Sequence, residues 1–454
     1  MKRNSIRHTL SETASVDYRM WGTLMLTLLF PAIYTATRIR FLGSIPTAWG
    51  YNIASQLAWV NIVYEVIHEA ILLPLFHLLG KVSDEPRRLR NRTITGLIVA
   101  ICIYTVLGTT VSWAAPWLVD LMAQASELTP ATIWYIRYET VAKVPEIAFR
   151  MLLIGLVVQN RYRVILGLLA LQMILSIGLD AFLVRVGPGS LGLGVNGIAL
   201  SNVISYTALA IIAYRFGVAS REPSESRGHV SRRTLSFAWL TEWTRIGGLS
   251  GIESLVRNAA FMLMILRLVN VVQEPGTFWI ANSFIWGWML LPVLSLGTLV
   301  KRDVGTEDHA RRATSTNPGS YLWITLGIVA FWMLSIPLWR PFVSEVMGVE
   351  NPDAIVGIAF ISLPFYVAFA FNNVIDSVFY GSGRTDLMLV QAVVVNALVY
   401  GIAFILYVTG VFEPTLTRIA VLFGIGIFLD SVITFALYFL VFRKKMAAVK
   451  NAAA

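Results

Sequence analysis

Charge is scarce in this sequence: 14% of its 454 residues are charged, whereas soluble domains carry about 25%. With 56% hydrophobic residues and a mean hydropathy of +0.68, that scarcity excludes an ordinary soluble domain and points to an integral membrane protein. Cysteine is nearly absent. Cys102 stands alone in an apolar run, which excludes a disulfide framework and a cysteine metal site. Basic residues near the N-terminus (Lys2, Arg3, Arg7) are followed by no short apolar stretch with a cleavage pattern, so no removable signal peptide is expected. Ten-residue alternating strands are missing, which argues against a β-barrel. There is no Walker loop, so ATP-driven work within this chain is not expected. "EVIH" (65–68) gives one E-x-x-H, but a di-iron bundle needs two with further glutamates. "HEA" does not continue to the second histidine of a zincin. No catalytic residue, bound metal or cofactor is expected, and the chain reads as a non-enzyme.

What is present is a series of long apolar runs. A spanning helix needs about 20 mostly apolar residues, and twelve stretches qualify: 19–42, 52–79, 94–118, 130–158, 164–186, 193–216, 241–271, 277–300, 319–342, 354–380, 387–410 and 416–442. Net charge is +10, but its basic residues lie in small clusters between these runs, a poor pattern for binding nucleic acid. "GKVSDEPRRLRNR", "QNRYR", "SREPSESRGHVSRR", "KRDVGTEDHARR", "GSGRTD" and "FRKK" hold them; alternate loops such as "DLMAQASELTP" and "QEPGTF" hold few. The positive-inside rule then places both termini in the cytoplasm. Short loops favour a prokaryotic inner membrane, and nothing calls for more than a monomer.

The second half repeats the first. "RFL…IASQLAW" (40–59) lies over "RLV…IANSFIW" (267–286), pairing Arg40 with Arg267. "KVPEIAF" (143–149) lies over "SLPFYVAF" (362–369), pairing Pro145 with Pro364, and "NGIALS" (196–201) lies over "TRIAVL" (417–422). The expected fold is therefore an all-α polytopic membrane protein of twelve transmembrane helices in two pseudo-symmetric six-helix lobes. Its parts are a cytoplasmic segment 1–18, lobes 19–216 and 241–442, a linker 217–240 and a tail 443–454. Such repeats place a binding site near the bilayer midplane. Pro145 and Pro364 are hinge candidates, because each lacks the N–H that would hold a carbonyl one turn back.

Inside this frame stands "YETVAKVPEIAFR" (138–150). Glu139, Lys143, Glu146 and Arg150 follow an i, i+4, i+7, i+11 spacing, one stripe of a helix. Each charge costs roughly 2.5–3.5 kcal/mol at a bilayer centre, so the stripe must face other charges or water. Span 2 offers a matching face in Asn61, Glu65, His68 and Glu69, and span 1 contributes Arg38 and Arg40. The later spans carry Glu253 and Arg257 at i, i+4, with Asn258, then Asn372, Asn373 and Asp376. Asp180 and Asp430 stand singly and could be satisfied by neighbouring hydroxyls; Arg40, Arg150 and Arg267, near span ends, could snorkel to headgroups. Glu65, His68, Glu69, Glu139 and Glu146 are the ion-coupling candidates. Arg38, Lys143, Arg150, Glu253, Arg257, Asn372, Asn373 and Asp376 are the substrate-cavity candidates.

"GLSGIESLVRNAAFMLMILRLV" (248–269), "FIWGWMLLPVLSLGTLVKRDVG" (284–305), "VFYGSGRTDLMLV" (378–390) and "LGVNGIALSNVISY" (193–206) are similar to segments of the MATE (multidrug and toxin extrusion) family. That family belongs to the multidrug/oligosaccharidyl-lipid/polysaccharide exporter superfamily. The resemblance covers most of the chain and implies a V-shaped antiporter that exports small organic solutes against inward H⁺ or Na⁺. One departure matters: the family places an aspartate five residues before the glycine that ends span 1, and here "TATRIRFLG" puts Arg38 before Gly43. The coupling role then falls to the glutamates of spans 2 and 4. A cavity holding Arg38, Lys143 and Arg150 suits an anionic or zwitterionic solute better than a cationic drug. The alternatives are an exporter of organic anions and a flippase for lipid-linked precursors. Its expected partners are a small-molecule substrate and the lipid bilayer.

Overall fold

The computed structural model describes residues 16–43, 49–82, 85–159, 161–218, 235–306, 318–382 and 384–453, and all regular elements among them are helices. In chain order these are α1 (Tyr18–Gly43), α2 (Trp49–Ala54), α3 (Leu57–Gly80), α4 (Pro86–Leu121), α5 (Thr129–Val158), α6 (Tyr162–Leu183), α7 (Val195–Gly217) and α8 (Leu240–Phe261). There follow α9 (Arg267–Val271), α10 (Pro275–Phe284), α11 (Leu291–Thr306), α12 (Gly319–Pro341), α13 (Pro352–Gly381), α14 (Thr385–Val395), α15 (Ile402–Val408) and α16 (Leu416–Ala453). π-Helical turns interrupt the helices at Met262–Leu266, Ile285–Met289, Phe342–Val346 and Asn396–Gly401. Proline opens α4, α5 and α13, where its missing N–H would have had no partner anyway.

Among the described residues, eight helices are long and apolar enough to cross a membrane, nine if the bent pair Pro275–Met289 and Leu291–Val304 is one span. α5 is 30 residues long, ample for a bilayer, but it is the helix crowded with Glu139, Lys143, Glu146 and Arg150. Those charges are what interrupt its apolar run. Most of the linker expected at 217–240 lies outside the described residues.

Packing divides the chain into two compact units, Thr37–Gly276 and Met1–Ala36 with Thr277–Ala454, here the amino and carboxyl units. α8 and α9 belong with the amino unit, and most of α1 with the carboxyl unit. A seam of small residues explains the first case. Gly247 of α8 lies against the Ala70 carbonyl of α3, and a Cβ at Gly251 would come 3.0 Å from the Ala70 methyl. Such G-x-x-x-G seams let membrane helices approach closely. Trp243 of α8 then donates its indole N–H to the Ile71 carbonyl at 2.9 Å.

Within the amino unit α5 is central, packed on α4 and α7, with Phe149, Leu152 and Leu156 meeting Leu168 of α6 and Leu209 and Ala213 of α7. Within the carboxyl unit α13, also 30 residues, packs on α16 and α11. Both α5 and α13 run unbroken through an inner proline, Pro145 and Pro364. The sharp break falls elsewhere. Between Met289 and Leu291 the chain turns by 53°, just before Pro292, and carbonyls there need new donors because lipid supplies none. Trp332 donates to the Met289 carbonyl at 2.9 Å, Trp21 to that of Pro292 at 3.2 Å, and Asn373 to that of Val293 at 3.0 Å.

Candidate functional site

The charged stripe of α5 is buried as its spacing requires. Glu139, Lys143 and Glu146 are buried. Glu146 sits between two cations of its own helix: Lys143 Nζ reaches Oε2 at 2.8 Å, and Arg150 Nη2 reaches Oε1 at 2.8 Å. These are i,i+3 and i,i+4 neighbours, so helix geometry alone brings them together. Arg150 keeps about half of its side chain exposed.

Beside this triad lies a cavity of about 160 Å³ between α3, α4 and α5, lined by Asn61, Tyr64, Glu65, His68, Tyr104, Lys143, Glu146, Ile147 and Arg150. Its aromatic wall is a pair of tyrosines, Tyr64 and Tyr104, with ring centroids 5.6 Å apart, and Lys143 Nζ stands 5.8 Å from the Tyr64 ring centre. The cavity therefore gathers five sequence candidates: Glu65, His68, Lys143, Glu146 and Arg150. Glu69 is not among the lining residues. Tyr64, Tyr104 and Ile147 were not singled out in the sequence; aromatic content alone does not separate a cavity wall from an interfacial belt, and no local spacing marked them.

A second network uses the remaining charges of the amino unit. Arg38 of α1 holds Asp180 of α6 with two bonds, Nε to Oδ2 at 2.7 Å and Nη2 to Oδ1 at 3.3 Å, and donates to Asn202 Oδ1 of α7 at 3.0 Å. Asn202 in turn gives its amide N–H groups to both oxygens of Glu139, at 2.9 and 3.1 Å. Asp180 is thus satisfied by a guanidinium rather than a hydroxyl, and Arg38 is placed in this network and is not among the cavity's lining residues. Arg267 donates to the Leu121 carbonyl at 2.7 Å, a bond within the protein.

The carboxyl unit builds a different polar core. The amide nitrogen of Asn372 bridges two carboxylates, Asp376 Oδ2 at 3.0 Å and Asp430 Oδ2 at 2.9 Å. Thr434 donates to Asp376 Oδ1 at 3.0 Å, and Gln391 donates to Asp430 Oδ1. The carbonyl oxygens Asn372 Oδ1 and Gln391 Oε1 are buried without a hydrogen-bond partner among the described residues. Asp430 is satisfied by amides, again not by a hydroxyl. Asn373 is spent on the helix break. The side chains of Glu253 and Arg257 lie outside the described residues. No group of three or more histidine, cysteine or acidic side chains suited to a metal occurs among the described residues.

No protein-family model matches the sequence, and no curated protein matches it. Solved structures do. One, an inward-facing multidrug resistance MATE family transporter of the MOP superfamily, is 18% identical with a TM-score of 0.70, covering 93% of this chain and 96% of that one. A MATE transporter of Vibrio cholerae is 13% identical with a TM-score of 0.66, over 97% of this chain and 98% of its own. A MOP superfamily transporter from Pyrococcus furiosus, described by the reverse polarity of its binding pocket and a suggested different function, is 19% identical, with a TM-score of 0.63 over 95% and 96%. At such identities the likeness is one of fold: the chain has the fold of the MATE transporters.

Proposed function

We propose that this chain, folded as a MATE transporter, is a secondary transporter that exports small organic solutes in exchange for H⁺ or Na⁺ by alternating access, through twelve spans in two six-helix lobes. The observation that carries this reading is the charged cavity of α3, α4 and α5. Ionisable groups inside spanning helices mark solute and ion pathways more often than not, and here they surround an open volume rather than filling it. A flippase for lipid-linked precursors would need a far larger chamber.

Glu139 is the favoured coupling carboxylate. Among the described residues Asn202 hydrogen-bonds it through one amide group and no cation is bonded to it, so an entering proton or Na⁺ would find more to compensate there than at Glu146, which already holds two cations. Glu65 and His68, at the cavity wall, are positioned to respond to solute. Exchange follows if the ion and the solute favour different states of the same equilibrium.

The test is solute-linked ion movement in proteoliposomes under an imposed pH or Na⁺ gradient. The parent is expected to dissipate the gradient when solute is added. Glu139→Gln is expected to abolish that coupling while retaining solute binding, and Glu65→Gln to weaken binding first. If no gradient is dissipated by any cationic, anionic or zwitterionic solute, the antiporter reading fails, and the buried charges serve only to hold the helices together.

A further inference from the structure

We propose that α9, with the π-helical turn before it, is a gate at the outer end of the amino unit. Gln56 and Asn270 clasp it shut, and it swings on the seam between α3 and α8. The gate rests on the transporter reading above for what it serves, and on the amino unit alone for its parts.

The clasp is a pair of side-chain amides from distant stretches of the chain. Gln56, between α2 and α3, donates to Asn270 Oδ1 at 2.9 Å, and Asn270 of α9 donates back to Gln56 Oε1 at 3.0 Å. Both residues are buried. Asn270 also donates to the Met122 carbonyl at 2.7 Å, beside the bond from Arg267 to the Leu121 carbonyl. α4 ends at Leu121, and the last carbonyls of a helix have no partner within it. Trp59 donates to Gln56 Oε1 at 2.7 Å, and Asn52 Oδ1 accepts the Gly276 N–H at 3.0 Å. Three connections are thus tied together: the chain entering α3, the end of α4 and the turn after α9. The basic loops lie at the other end of these helices, so the charge rule makes this the outer face. Asn61 of the cavity lies little more than one turn inward from Gln56.

This chemistry suits a joint that opens. Amides released from each other bond to water instead, so parting them costs little net. An apolar joint loses in proportion to the area that water reaches. Toward the basic loops α8 is joined to its neighbours in that second way. Gly247 and Gly251 press against Ala70 of α3, and the rings of Trp239 and Trp243 stack with centroids 4.9 Å apart. Their indoles are fixed to the Thr95 hydroxyl and the Ile71 carbonyl. One end is built to stay and the other to part.

Between the two lies Met262–Leu266, the π-helical turn. Such turns interrupt the regular hydrogen-bond ladder and are places where helices bend. It separates seam from clasp, so α9 can swing while α8 keeps its contact with α3.

The full-length protein in nanodiscs tests the joint. Met122→Cys puts a thiol beneath the clasp, where the native side chain is buried, and a water-soluble maleimide reports its opening. Adding Asn270→Ala is expected to speed labelling roughly tenfold, the shift that two lost hydrogen bonds imply. A control thiol from Leu209→Cys, in the core between α5 and α7, should be unaffected by Asn270→Ala. Unchanged labelling at 122, or equal acceleration at 209, would overturn the gate. A second arm joins positions 56 and 270 of Gln56→Cys/Asn270→Cys with a short cleavable bis-thiol linker in proteoliposomes. Solute-linked ion movement is expected to stop when they are joined and to return on reduction. The comparison is made within one protein, so a folding defect does not imitate it. Equal movement in the joined and reduced forms would overturn the gate. If the parent moves no ion with any solute, the transporter reading fails, and the labelling arm still decides whether the joint opens.

Discussion

In the amino unit the buried carboxylates Asp180 and Glu146 are bonded to Arg38, Lys143 and Arg150. In the carboxyl unit Asp376 and Asp430 take their bonds from the amides of Asn372 and Gln391 and the hydroxyl of Thr434. The scaffolds nonetheless correspond: α5 and α13 have the same length, each with an inner proline, and α5 packs on α7 as α13 packs on α16. Repetition here has kept backbone geometry and let side-chain chemistry diverge. A charge compensated by a charge and a charge compensated by neutral donors also fail differently when one partner is removed.

The largest effect is expected from Arg38→Leu. It leaves Asp180, almost wholly buried, without its guanidinium, a loss of about 3–5 kcal/mol for a broken buried pair. Thermal unfolding of the purified protein in detergent measures it. The double variant Arg38→Leu/Asp180→Leu should recover much of the loss, and no recovery would mean that the two residues are not energetically coupled. Asn372→Ala in the carboxyl unit removes one neutral donor from two carboxylates, so a smaller destabilisation of about 1–3 kcal/mol is expected in the same measurement. If Asn372→Ala proves the costlier change, the contrast between the units is wrong. Smaller again is Trp332→Phe, which deletes the indole donor to the Met289 carbonyl while keeping an aromatic ring. Its cost is expected near the ~0.5–1.5 kcal/mol of a single hydrogen bond. A loss several times larger would show that the bend before Pro292 collapses as a unit.

Much of this was readable along single helices. Lys143, Glu146 and Arg150 pair because residues three and four apart are neighbours on a helix, and the sequence displays that spacing directly. The same logic put Asn61, Glu65, His68 and Glu69 on one face, and the first three line the cavity beside Lys143, Glu146 and Arg150 of α5. Partnerships between helices were not readable. Arg38 and Asp180 are 142 positions apart, and Asn372 and Asp430 are 58 apart; their meeting depends on the rotation of each helix about its axis, which hydropathy does not encode. That is why hydroxyls were expected to satisfy Asp180 and Asp430 and why Asn202, Gln391 and Thr434 went unnoticed. Proline marked possible bends at Pro145 and Pro364, yet the helices continue through both, while the observed break precedes Pro292, where Trp332, Trp21 and Asn373 converge to cap the exposed carbonyls. A proline permits a bend; donors from neighbouring helices decide where one can persist.

Cys102, the single cysteine of the chain, is exposed on α4, the helix that carries Tyr104 two residues further on. Midway along a helix long and apolar enough to span the bilayer, that exposed thiol faces lipid rather than water, out of reach of a water-soluble maleimide. The native cysteine is therefore silent to such a probe, and a single cysteine introduced in a water-facing loop becomes the one labelled position without any need to remove Cys102 first.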